Sequence, residues 1–200
     1  RLRRVAGAVL VVVLVAIGLA MVGAPQASAA PPAPEATLSV PASSFIGTDV
    51  SFSVSFDNVD VDAAGYGPYV DLWLPVTGVD GAGNAVDDGL TFATASYLGS
   101  DVTSIPLTIT NCGGSQTHPF TGLPIVCPAG FRVGDQLVVL ELPFGSFSPG
   151  QPAATISVTA SMSNLADLGT PLPIAARAGF RYGDPPTGST PMVQVAADAA

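Results

Sequence analysis

Between Asp49 and Phe56 the chain alternates without interruption, placing Val50, Phe52, Val54 and Phe56 on one side and Ser51, Ser53 and Ser55 on the other. A period of two cannot form a helix stripe, and it fixes a strand with one face in a core and the other in water. Comparable stretches follow at 69–74, 90–95, 102–110, 136–142 and 154–162, and no segment after residue 30 carries helical periodicity. In 136–142 both faces are apolar, Val138, Leu140 and Leu142 against Leu137 and Val139, which predicts a central strand covered on two sides. The other strands are expected to be half-exposed. Turn residues separate them, in Asp80-Gly81, Gly83-Asn84, Asp88-Gly89, Gly113-Gly114, Pro128-Ala129-Gly130 and Ser148-Pro149-Gly150. With 10% charged residues, 22 glycines and 19 prolines, order must come from short strands and many turns. The expectation is an all-β chain folded as two packed antiparallel sheets.

Ahead of this region, Arg1-Leu2-Arg3-Arg4, an apolar run from Val5 to Val22 and the small residues Ala27-Ser28-Ala29 read as a helical secretory signal peptide over 1–29. The competing reading is an uncleaved anchor, because the apolar run approaches bilayer-spanning length. Ordinary export of an unfolded chain fits better than twin-arginine export, since the residues around Arg3-Arg4 match that signal poorly. Residues 30–35, Ala-Pro-Pro-Ala-Pro-Glu, read as an extended Pro-rich spacer, with folded structure expected from about Thr37 within a single domain over 36–183. Residues 184–200 read as a linker to downstream sequence. Within it, Asp184-Pro185-Pro186-Thr187-Gly188 departs from a sortase sorting signal at its first position and has no apolar or basic tail behind it.

All six basic residues are arginines, and three lie in the signal. The remainder keeps Arg132, Arg177 and Arg181 against fifteen carboxylates, a net charge of −12. Nucleic acid and anionic lipid headgroups both require clustered positive charge, so both are disfavoured as partners, and the membrane is met only through the signal before cleavage. The absence of lysine excludes a Lys–Asn isopeptide crosslink and a lysine Schiff base.

Cys112 and Cys127 are an even pair in an exported chain and read as a disulfide closing a loop, worth about 3 kcal/mol in the chain-entropy model. A zinc site is the weaker alternative, with only His118 nearby. No cofactor is expected apart from calcium, for which two oxygen-rich loops are candidates: Asp80, Asn84, Asp87 and Asp88, and Asp57, Asn58, Asp60 and Asp62. Both are also ordinary turn composition. On 69–74, Tyr69, Asp71 and Trp73 share the face opposite Val70, Leu72 and Leu74. That aromatic pair could stack on a sugar ring, and the competing reading covers Trp73 with the disulfide loop or a neighbouring domain. His118 is expected on a surface loop, with no nucleophile elbow to partner it. Paired carboxylates such as Glu141 with an aspartate across the sheet could serve hydrolysis, and such pairs are also expected by chance in an acidic chain.

The residues Phe56-Asp57-Asn58, then Gly65-Tyr66-Gly67-Pro68-Tyr69-Val70-Asp71-Leu72-Trp73-Leu74-Pro75, resemble a pattern of large exported bacterial proteins. Leu140-Glu141-Leu142-Pro143-Phe144-Gly145-Ser146-Phe147 and Asn164-Leu165-Ala166-Asp167-Leu168-Gly169-Thr170-Pro171-Leu172 agree with it. Together they resemble the N-terminal portion of surface proteins built from Ig-like conserved repeats, some with isopeptide-forming fimbrial domains further along. The resemblance covers 36–182 and implies an Ig-like antiparallel β-sandwich in a secreted or cell-surface, adhesin-like protein, with no enzymatic role for this region. The expected function is a stalk-like structural or adhesion module whose partners are downstream domains and a host or matrix glycan or protein. The alternatives are a carbohydrate-binding module using Tyr69 and Trp73, and an accessory domain of a secreted hydrolase.

Overall fold

A computed structural model describes residues 31–78, 88–182 and 194–195. The signal peptide, the calcium candidates Asp80, Asn84 and Asp87, and most of the 184–200 linker lie outside the described residues. The described chain is all strand, folded as an antiparallel β-sandwich.

The first sheet grows around the alternating segment. Strand β2 (Asp49–Asn58) buries every second residue from Val50 to Asn58, and its serine face stays wetter. Strand β1 (Pro34–Ser39) flanks it on one side and β11 (Ala154–Met162) on the other; β4 (Leu90–Tyr97) and β5 (Ser100–Asp101) complete the order β1-β2-β11-β4-β5. The spacer therefore ends earlier than expected, because Pro34 and Glu35 already pair with Asn58 and Asp57. Proline is tolerated there as the first residue of an edge strand, where no ladder donor is needed. Ala93 bulges out of β4 opposite Thr159 and Ala160.

The second sheet has the order β13-β12-β3-β9-β6, with β3 (Gly65–Leu74) central and β12 (Ala175–Tyr182), β9 (Gln136–Glu141) and β6 (Thr103–Thr108) around it. Strand β10 (Ser146–Phe147) pairs with the start of β3, and β13 (Gln194–Val195) pairs with Phe180 and Gly179 of β12, so part of the expected linker is a strand. Strand β9 is covered on both sides, as expected. So is β3, which the sequence left half-exposed: its residues from Pro68 to Leu74 are all buried.

Two apolar layers account for this. Between the sheets, Phe52, Val54, Phe56 and Ile156 meet Val70, Leu72, Leu140, Ala178 and Phe180. Phe56 stands edge-on to both Phe147 and Phe180, at 5.2 and 5.3 Å between ring centres. On the outer face of the second sheet, Tyr69, Trp73, Leu137, Val139 and Ala175 are covered by Ile109, Ile125 and Phe131. The segment between β6 and β9 supplies that cover, folding as a two-stranded ribbon of β7 (Gly113–Thr117) and β8 (Pro124–Val126).

The registers also fix the poles of the sandwich. Pro34 pairs with Asn58 at the end of β2, the chain crosses to the second sheet within residues 59–64, and Tyr66 at the start of β3 pairs with Tyr182. The sandwich is thus entered at Pro34 from this pole, and β12 returns to the same pole at Tyr182, with β13 then running antiparallel along β12. Asn58 rivets this near pole: its side chain accepts from Ala33 N at 3.1 Å and donates to Ala63 O and Phe147 O at 2.9 and 3.1 Å. The far pole carries the loops after β1, β3 and β11.

Two backbone positions yield tests. Gly179 lies under the Tyr69 ring, where an added Cβ would come within 2.2 Å of the ring and 2.4 Å of the hydroxyl oxygen. Gly179→Ala is expected to cost about 1–3 kcal/mol in urea unfolding, because neither strand can retreat. Leu98, 85% exposed, occupies the first position of the Leu98-Gly99 hairpin turn with φ of 51°. Leu98→Asn is expected to raise stability by about 1 kcal/mol, asparagine adopting that conformation at lower cost.

Candidate functional site

The polar residues that chemistry would need converge beneath the ribbon. His118 follows β7 and sits in the turn to β8, where its N–H donates to Leu123 O at 2.8 Å and its carbonyl accepts from Gly122 N at 2.9 Å. Its ring turns inward, only 7% exposed as a residue, and Nε2 lies 2.8 Å from Asp71 Oδ1 on β3. Expected on a surface loop, His118 is instead a buried tie between ribbon and sheet. Sequence spacing could not reveal a partner 47 residues away.

Hydrogen bonding fixes the protonation pattern of the neutral ring. Nδ1 accepts from Phe120 N at 3.2 Å and Thr121 N at 3.1 Å, so it carries no proton, and Nε2–H donates to Asp71. The lone pair that a general base would use is occupied by two backbone donors. The cluster holds a turn in place and is poorly arranged to move protons. Beside it, burial and then the Asp71 carboxylate push the Tyr69 phenol far above its ordinary range, so the hydroxyl stays protonated.

The ribbon is fastened at its other end by Cys112–Cys127, with Cα atoms 5.0 Å apart. Those sulfurs are bonded to each other, which removes the zinc alternative. Between the two fastenings, Arg177 donates to Val126 O at 3.4 Å, and the Arg181 guanidinium lies 4.9 Å from the centre of the Phe120 ring. A cavity of about 100 Å³ remains, lined by Tyr69, Asp71, Trp73, His118, Thr121 and Arg177 among others.

Tyr69 and Trp73, the candidate sugar-facing aromatics, are 1% and 2% exposed and form the floor under the ribbon. The expected alternative, cover by the disulfide loop, is what the structure shows. Glu141 has Tyr69 and Thr103 as its direct cross-strand partners, so no carboxylate stands opposite it. In the 57–62 cluster, Asn58 is consumed by the near pole, and Asp60 Oδ1 accepts from Asp62 N at 2.8 Å and Ala63 N at 2.7 Å. The Ala63 and Asp62 amides hold the Asp60 carboxyl below its usual value, which marks a turn. Among the described residues no group of three metal-ligating side chains converges. Sequence reasoning also missed Asp135, buried immediately before β9. It accepts from Thr77 N, Thr77 Oγ1 and Arg132 N, at 3.1, 2.8 and 2.9 Å, and Arg132 Nε in turn donates to Thr77 Oγ1 at 2.8 Å.

The far pole holds the second feature missed from sequence. The loop after β1 and the loop between β11 and β12 enclose a groove of about 460 Å³, walled chiefly by Val40, Ile46, Val50, Met162, Leu172 and Ile174. Leu168, 82% accessible, stands exposed on its lining, beside Ile46 at 42%. Neither loop has periodicity, so nothing in the sequence pairs them.

Asp71→Ala and His118→Ala are each expected to cost about 2–3 kcal/mol, and the double variant clearly less than the sum, because each single change strands a buried partner. Nitrogen NMR of the neutral ring is expected to show the Nε2–H tautomer. As pH falls through the lowered Asp60 value, Asp60 loses its turn contribution; proton NMR titration should place its midpoint below that of a free aspartate.

No protein-family model matches the chain, and no curated protein matches it. Among solved structures, one of AvmM, described as catalysing macrocyclization in alchivemycin A biosynthesis, is similar over 84% of this chain and 87% of that one, at 15% identity and a TM-score of 0.39. A likeness that loose carries no argument about activity.

Proposed function

We infer that the chain is a non-enzymatic binding module of an exported, surface-associated protein that presents its far pole. The observation that carries this reading is the open apolar groove at the far pole, opposite the pole at which the chain enters at Pro34. The disulfide and the signal-like N-terminal segment support export. The acidic composition favours solubility and keeps like-charged neighbours apart. Burial of Tyr69 and Trp73 removes the basis for a sugar-stacking face on the second sheet.

Fractionation of cells expressing the natural gene tests this reading. The expected result is a protein outside the cytoplasm whose mature N-terminus follows Ala29 and whose cysteines resist alkylation without prior reduction. A cytoplasmic protein with free thiols would overturn it.

A further inference from the structure

We propose that the far-pole groove binds an extended apolar peptide segment carrying basic residues, which names the partner chemistry of the module inferred above and rests on that reading. Three observations converge. The groove volume, about 460 Å³, lies within the range of sites that enclose a ligand, and its lining is predominantly apolar, with Ile46 and Leu168 exposed on it.

The walls also offer main chain. Pro41 to Ser44 on one side and Pro171 to Pro173 on the other make no hydrogen bond with other described residues. Among the described residues the N–H groups of Ala42, Ser43, Ser44 and Leu172 have no protein partner, so an extended backbone laid along these walls would find donors and acceptors there. An alkyl chain would leave those groups without partners. The two walls are nonetheless held at a fixed separation, because Gly47 N donates to Ser163 O at 3.2 Å between the loops.

Charge selects among peptides. Asp167 lines the groove, and Asp49, which accepts from Ser161 Oγ at 2.8 Å, lies at the same pole. The arginine nearest this pole, Arg132, directs its guanidinium to Thr77 and Gly78. Apolar side chains of the partner fill the groove, its backbone bonds the walls, and a lysine or arginine meets Asp167.

The test uses the soluble oxidised protein from residue 30 onward and two capped heptapeptides of alternating leucine and serine, one ending in two arginines and the other in two glutamates. Binding is followed by amide NMR shifts and fluorescence anisotropy. The arginine peptide is expected to bind at least about tenfold more tightly than the glutamate peptide at low salt, with the gap narrowing as salt rises. Its shifts should map to residues 40–46 and 166–174. Ile46→Ser and Leu168→Ser, both at exposed positions lining the groove, should weaken it at least about fivefold while leaving the unfolding midpoint unchanged. Asp167→Asn should remove most of the salt dependence. Equal binding of both peptides, shifts elsewhere, no saturable binding, preference for an uncharged alkyl glucoside, or self-association through this pole would each overturn the proposal. None of these bears on export, which fractionation tests separately.

Discussion

Strand β3 is buried on both faces, and the rest of the fold answers that demand. A strand in the middle of a sandwich normally has one dry face; here Val70, Leu72 and Leu74 face the first sheet while Tyr69, Asp71 and Trp73 face a second apolar layer. A sheet cannot leave two large aromatic rings in water without losing the free energy of covering them, roughly 25 cal/mol for each Å² of apolar surface. The ribbon of β7 and β8 supplies the cover, yet a two-stranded ribbon has little stability alone. It is therefore pinned at both ends, covalently at Cys112–Cys127 and by the Asp71–His118 hydrogen bond at its tip.

That arrangement explains why a group resembling half of a catalytic triad sits in a chain with little else to suggest catalysis. A carboxylate, an imidazole and a threonine within one small cavity would invite a hydrolytic reading. The backbone amides of Phe120 and Thr121 decide otherwise, since they occupy the nitrogen that would have to accept a proton. The pair has the orientation of an acid–base device and the bonding of a turn cap. Arg177 and Arg181 join the same task, binding the ribbon's carbonyl and its Phe120 ring.

How much of this was written in the sequence depends on the range of the interaction concerned. Alternation located β2, β9 and β11 closely, because a period of two is a local signal and Val, Phe, Ser and Thr carry it plainly. Strand β12 escaped notice because its inner face is built from Ala176, Ala178 and Phe180 and its outer face includes Gly179, where the Tyr69 ring replaces a side chain. The ribbon was read as a loop for a similar reason: Gly113, Gly114 and Pro124 are turn residues by composition, and only Ile125 reaches the core. The disulfide was legible because cysteine pairing needs no register. The partnership of Asp71 with His118 and the meeting of two aperiodic loops at the groove depend on tertiary approach alone, and no local pattern encodes them.

The placement of Pro34 and Tyr182 at one pole also governs how the domain meets force. Tension applied between these residues runs across the ladders. It would peel β1 from β2 and β12 from β3 one hydrogen bond after another, starting at Asn58 and Tyr66, so the bonds never share the load. Strands loaded this way yield early and gradually. The Cys112–Cys127 bridge lies outside that peeling path, so the ribbon and its buried tryptophan would be among the last parts of the fold to open.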